Sequence, residues 1–284
     1  MDIPFRVDLS GKVAVITGGA GVLCGVFAEA LAACGARVAI LDLDAESAAG
    51  RARKINDAGG KAIGVAADVL DAESLGSARE RVHAELGKCD ILINGAGGNH
   101  PKGTTTHDWL EPGDSLSGGE GVRSFFDLDR KSVEFVFGLN FIGALLTTQE
   151  FARDMVDRGG TVINVSSMNA LRPLTRIPAY SAAKAAVSNF TQWLAVYLAK
   201  VNVRVNAMAP GFFLTEQNRA LLVRPDGAPT PRAGKILGHT PMSRFGTPEE
   251  LIGTLLWLVD ARSSGFVTGT VIPVDGGFSA YSGV

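Results

Sequence analysis

Ser167, Tyr180 and Lys184 are side chains that together can move a proton at a carbon–oxygen bond. Tyr180 and Lys184 are four residues apart, so in a helix they share one face. A phenol titrates near 10 and is a poor base at neutrality. An ammonium fixed beside it favours the phenolate, and a fall of about three units corresponds to roughly 4 kcal/mol. Ser167 follows a β-branched run, Thr161–Val165, which puts it at the carboxyl end of an expected strand. From there its hydroxyl can hold a substrate oxygen while the tyrosine moves the proton. Ser166 is the neighbouring candidate, and the spacing to Tyr180 selects Ser167. Alcohol–ketone chemistry of this kind also needs a hydride carrier, which the protein can only bind and orient.

The opening of the chain offers a place for that carrier. Val13–Thr17 reads as a strand that runs into Thr17-Gly18-Gly19-Ala20-Gly21-Val22-Leu23-Cys24-Gly25 and then a helical pattern. A glycine-rich turn lets backbone N–H groups approach a pyrophosphate, and the helix start adds partial positive charge. Gly18, Gly21, Val22 and Leu23 are the expected contacts. Asp42 closes the next strand, where a carboxylate can accept from both ribose hydroxyls and repel a 2′-phosphate; no Lys or Arg directly follows it, which favours NAD over NADP. Asp42 could instead be a turn carboxylate, and Asp44 a helix cap.

The rest of the chain must position these groups. Val13–Thr17, Arg37–Leu41, Ala62–Ala66, Ile91–Asn94, Thr161–Val165, Val203–Met208 and Val271–Val274 are continuous apolar runs, as in strands buried on both faces. Helical patterns alternate with them. Gly21–Cys34 places Leu23, Phe27, Ala30, Leu31 and Cys34 on one face, and Thr247-Pro248-Glu249-Glu250 is a helix-start signal. The order predicts an α/β fold, a doubly wound seven-stranded parallel sheet flanked by helices, in one domain over 1–284. Two long segments after strand ends, 97–127 and 211–240, read as substrate-side loops.

Composition excludes several classes. The 284 residues carry 27 basic and 29 acidic side chains, with no basic excess for nucleic acid or an acidic membrane surface. No apolar run is long enough to cross a bilayer, and the first ten residues lack a signal-peptide core. Cys24, Cys34 and Cys89 form neither a disulfide framework nor a metal knuckle. His100, His107 and Asp108 lie close in sequence but without a metal-binding spacing, so no metal is expected. A cytoplasmic protein is expected.

Thr17-Gly18, Asp42, Asp68-Val69, Asn94-Gly95-Ala96-Gly97 and the Ser167/Tyr180/Lys184 set resemble the short-chain dehydrogenase/reductase family, which has a Rossmann-like fold. The resemblance implies that Asp68 and Val69 meet the adenine, and that Asn94, Ala96 and Gly97 flank the cofactor. It implies that Tyr180 and Lys184 touch the cofactor as well as the substrate. Pro210, Gly211, Phe213 and Thr215 match the turn that meets the nicotinamide carboxamide. Asn140 matches a fourth catalytic member acting through a water relay. A homotetramer is implied too, with Phe190, Trp193, Leu194, Tyr197 and Leu198 on a contact helix. Two departures stand out: Gly95 replaces the family's second Asn, and Val22 and Cys24 occupy positions of the usual TGxxxGxG glycines, so the turn is expected to be re-routed by about one residue.

Outside those motifs, Asn94–Lys102, Ser166–Tyr180, Gly211–Leu222 and Val274–Val284 resemble the D-mannonate oxidoreductase (fructuronate reductase) branch of that family. The implied substrate is a sugar acid, with a carboxylate and several hydroxyls. Arg172, Arg176, Lys102, Asn169 and Arg219 are the candidate substrate contacts, since guanidinium forks suit carboxylates and amides suit hydroxyls. For each cation the alternative is a solvated or inter-subunit ion pair. Another hexuronate or polyol, such as tagaturonate/altronate, and a non-catalytic NAD sensor are the competing readings.

Overall fold

The seven apolar runs form one parallel sheet. The computed structural model describes residues 6–111, 121–214, 219 and 222–283. Its strands are β1 (Val13–Thr17), β2 (Arg37–Asp42), β3 (Lys61–Ala66), β4 (Ile91–Asn94), β5 (Gly160–Val165), β6 (Val203–Pro210) and β7 (Val271–Val274). β1, β4 and β7 have the expected limits, and the others gain one or two residues at an end. The order is β3-β2-β1-β4-β5-β6-β7. Winding therefore reverses between β1 and β4, which leaves a crevice at their carboxyl ends.

Continuous apolar strands follow from burial on both faces. Every residue of β1 is buried. Ala14 and Ile16 face one core with Phe27, Leu31, Leu255 and Leu258. Val13 and Val15 face the other with Leu75, Val82, Phe151 and Leu194. The two-residue alternation of a strand makes this division.

The helices are α1 (Val22–Ala33), α2 (Ala45–Asp57), α3 (Ala72–Glu85), α4 (Arg130–Phe137), α5 (Gly143–Phe151), α6 (Pro178–Leu198), α7 (Pro231–Gly238), α8 (Ile252–Val259) and α9 (Ala261–Ser264). Asp44 caps α2 by accepting from Glu46 N at 3.0 Å. The Thr247/Glu250 capping box forms as expected, but it opens a 3-10 turn, Pro248–Leu251, from which α8 continues. α4 and α5 are joined by a π-turn, Gly138–Ile142, so that Arg130–Met155 is one helical stretch. By length and composition that stretch could cross a membrane, which the apolar runs did not reveal. It packs on α3, α6 and β4, as a core helix does.

The two expected loops contain more structure than their sequence suggested. Segment 97–127 includes 3-10 turns Pro101–Gly103 and Phe125–Asp127. Segment 211–240 ends in α7, which a capping Thr230 and a first-turn Pro231 begin.

Candidate active site

At the switch between β1 and β4 the two strand ends are tied side by side. Thr17 Oγ1 accepts from the backbone N–H groups of Gly95 at 3.1 Å and Ala96 at 3.2 Å. Gly18 turns the chain away with φ +62°, and a Cβ there would lie 2.9 Å from Ala96 Cα, so only glycine fits. Gly21 then caps α1. A cleft of about 630 Å³ opens here.

Thirteen of the residues expected around a dinucleotide line this cleft: Gly18, Gly21, Val22 and Leu23 on the turn, Asp42, Asp68 and Val69 at one end, Ala96, Gly97, Tyr180, Lys184, Gly211 and Phe213 at the other. Asp42 is both a brace and a wall. Its Oδ2 accepts from Ala20 N at 3.1 Å and its Oδ1 from Asp44 N at 3.3 Å. The nearby Arg51 guanidinium is held by Glu29 at 2.6 Å. Asn94 and Pro210 do not line the cleft. Asn94 turns inward instead, and its amide donates to Thr148 Oγ1 and Asn164 Oδ1, each at 2.8 Å. Pro210 is the buried end of β6. Thr215 lies outside the described residues.

Cys24, Gly95, Gly98, Leu139 and Phe212 also line the cleft, beyond the expected cofactor contacts. Cys24 accounts for the glycine at 95. A Cβ on Gly95 would lie in collision with Cys24 Sγ and 2.8 Å from Thr17 O. The side chain absent at 95 is replaced by one at 24, filling the same space. We expect Gly95→Asn to lower stability by about 1–3 kcal/mol through overpacking. Thermal unfolding should show part of the loss recovered in Cys24→Gly/Gly95→Asn, the remainder being the contact with Thr17 O; no recovery would mean the two positions are not coupled.

The chemical groups meet at one end of the cleft. Tyr180 and Lys184 share a face of α6, with Lys184 Nζ 5.6 Å from the Tyr180 ring centroid. Lys184 is buried, and its Nζ donates to Val165 O at 2.8 Å. Ser167 follows β5 by two residues, and its hydroxyl bears electrostatically on the Tyr180 phenol. Ser166 faces elsewhere: its hydroxyl reaches Ser188 Oγ at 2.7 Å and Lys184 O at 3.2 Å. Asn140 sits in the π-turn, a local widening common at functional sites. Its amide donates to Gly98 O at 2.7 Å and Val136 O at 2.8 Å, and its Oδ1 accepts from Gly98 N at 3.3 Å. A Cβ on Gly97 would be 2.7 Å from Asn140 Oδ1 and 3.1 Å from Lys184 Nζ, so the glycine lets both approach.

The electrostatics differ from the sequence expectation in one respect. Burial pushes the Tyr180 phenol above its ordinary value, and the Ser167 hydroxyl pulls it partway back. Burial draws Lys184 from 10.5 down to about 8. The lysine was expected to depress the phenol. In the structure desolvation of both groups prevails, because each loses water and Lys184 gains a neutral carbonyl rather than an anion.

The expected substrate cations are less focused. Arg172, Arg176, Lys102 and Arg219 are exposed and none lines the cleft. Arg172 Nη1 donates to Leu171 O at 3.1 Å. Arg176, with φ +74°, stitches the chain to the 97–111 segment: its Nε donates to Thr105 O at 3.2 Å and its carbonyl accepts from Thr105 N at 2.9 Å. Asn169 alone among these candidates is buried, two residues beyond Ser167.

A family model described as short chain dehydrogenase matches residues 12–224. The chain belongs to the short-chain dehydrogenase family. It is an oxidoreductase of that family, with the seven-stranded fold expected of it. A relative from Haemophilus influenzae, called an uncharacterized oxidoreductase, is 54% identical over 285 residues, covering 100% of this chain and 99% of its own. A Haemophilus structure described as a candidate D-mannonate oxidoreductase with bound NAD superposes with a TM-score of 0.93 at 54% identity, covering 98% of each chain. The 5-keto-D-gluconate 5-reductase of Escherichia coli is 32% identical over 273 residues, covering 95% of this chain and 96% of its own.

Proposed function

We propose that this protein interconverts a sugar-acid alcohol and its keto form with NAD(H), the pair being D-mannonate and D-fructuronate. The observation that carries the reading is the pairing of Tyr180 and Lys184 on the wall of a dinucleotide-sized cleft that also holds the Asp42 carboxylate, with Ser167 two residues past the strand end Val165 on the same wall. The crystallised relative with NAD and the 5-keto-D-gluconate reductase support the cofactor and the sugar-acid class. The residues fit NAD: Gly18 admits close backbone approach, the α1 start faces the cleft, and Asp42 suits an unphosphorylated ribose. NAD, when bound, supplies the carbon that takes or gives the hydride.

The chain's own groups handle the proton. In oxidation the Tyr180 oxygen takes the hydroxyl proton of the alcohol; in reduction it returns one to the carbonyl oxygen. Ser167 holds that oxygen from the other side. The Lys184 ammonium keeps positive charge next to the phenol as negative charge develops there. Asn140 fixes Gly98 and so the floor beneath Lys184, with a water relay to Lys184 as its further role. Homotetramer assembly through the exposed Trp193 and Tyr197 face of α6, and a cytoplasmic site of action, belong to the same proposal.

The test is NADH consumption by the purified protein with D-fructuronate, D-tagaturonate and 5-keto-D-gluconate, repeated with NADPH. Fructuronate should be the best substrate by kcat/KM; faster reduction of tagaturonate would move the assignment to that pair. Asp42→Ala should weaken NADH binding by about tenfold and narrow the preference over NADPH. An unchanged preference would place nucleotide discrimination elsewhere.

A further inference from the structure

Arg51 reaches from α2 onto the glycine turn. Its Nη2 donates to Ala20 O at 3.3 Å, and its Nη1 pairs with Glu29 of α1 at 2.6 Å. Lys54, on the same helix, holds that carboxylate at 2.8 Å. The guanidinium lies against Gly25: a Cβ there would be 2.5 Å from its Cζ and 2.6 Å from its Nε and Nη2. Glycine at 25 is therefore the seat of the arginine, inside a helix where alanine is otherwise preferred. Ala20 is also held from its other end, since its N–H donates to Asp42 Oδ2 at 3.1 Å. The peptide after Ala20 is trans, so its C=O and N–H point in opposite directions. With Ala20 O drawn to Arg51, the Gly21 N–H is turned toward Gly18 O, which it meets at 3.1 Å to close the turn. Gly18 and Gly21 both line the cleft, and Gly21 caps α1 without a side-chain acceptor.

We propose that Arg51 is a positioning residue for the pyrophosphate of the dinucleotide. It is not on the cleft wall and acts through Ala20. By holding that carbonyl it keeps the turn in the path that offers backbone N–H groups and the α1 start to the phosphates. Two cations on the single Glu29 carboxylate also leave a net positive charge behind the turn, the sign that an anionic ligand favours. The proposal rests on the NAD reading of the cleft and not on the sugar acid.

The test is fluorescence titration of NADH, with ADP-ribose and adenosine as competitors, on wild type and its variants. Arg51→Leu should weaken NADH and ADP-ribose by about tenfold in Kd, the scale of a lost charged hydrogen bond, and leave adenosine, which has no phosphate, within about twofold. Gly25→Ala keeps the arginine but takes its seat, so it should weaken both phosphate ligands by a similar factor. The double variant should be no weaker than the poorer single variant, because both changes remove one interaction. An arginine kept only to join α1 to α2 would shift Tm and treat ADP-ribose and adenosine alike. Unchanged Kd values, equal losses for ADP-ribose and adenosine, or losses that multiply in the double variant overturn the proposal. A wild type that binds no NADH overturns it together with the cofactor reading; the sugar-acid assignment is not at stake, since the assay contains no ketone.

Discussion

Tyr180→Phe should lower kcat by about 10³-fold or more while NADH binds within about twofold of its wild-type affinity, because general acid–base transfer contributes on that scale. The ring remains to fill its place against α4, where Tyr180 packs with Val136 and Ala183, so the cleft keeps its shape. Only the oxygen that exchanges the proton is removed. Fluorescence titration with NADH and steady-state turnover on the same preparation separate the two effects. Substantial residual turnover would transfer the proton to another group and undo the assignment. The half-buried phenol also gives a sign for the pH dependence. Its folded value lies above the ordinary one, so the neutral acid form dominates at pH 7. Carbonyl reduction should therefore hold its rate through neutrality, whereas alcohol oxidation should rise toward alkaline pH.

Lys184→Met should abolish most turnover and at the same time leave the fold at pH 7 as stable as wild type or more stable, by about 0–2 kcal/mol. A buried lysine drawn from 10.5 to about 8 corresponds to roughly 3 kcal/mol of disfavoured charge, less what is lost when Val165 O forfeits its donor. Between pH 8 and 10.5 the unfolded chain binds a proton that the folded chain does not. Wild-type stability from this group therefore rises with pH across that window, and the penalty is complete and constant below it. Urea unfolding of both proteins at pH 7 and near pH 10 checks this. The advantage of the methionine variant should shrink at the higher pH. A variant less stable than wild type at pH 7 would show that the ammonium is a structural asset rather than a functional expense.

The sheet and the Tyr180/Lys184 helix were legible because both are written in local pattern. Fully buried strands leave continuous apolar runs, and a four-residue spacing on α6 fixes a shared face whatever surrounds it. What stayed hidden depends on contacts between distant segments. The π-turn around Asn140 leaves no mark in composition. Asn94 was expected beside the cofactor, yet its amide is drawn inward by Thr148 and Asn164, partners far along the chain. His83 meets Asp154 at 2.6 Å, a partner far along the chain that no local pattern indicates. Arg176 was expected to await a substrate and instead pairs with Thr105. The direction of the Tyr180 shift was missed for a related reason: spacing reports that a cation is near, but not how thoroughly both groups are stripped of water.

The interlocking of residues 24 and 95 constrains history as well as structure. A chain with asparagine at 95 has no room for a thiol at 24, and a chain with the thiol has none for the asparagine. Neither pairing converts to the other by a single replacement without passing through glycine at both sites and a small void between them. Exchanging either residue alone therefore meets a clash or an emptied space.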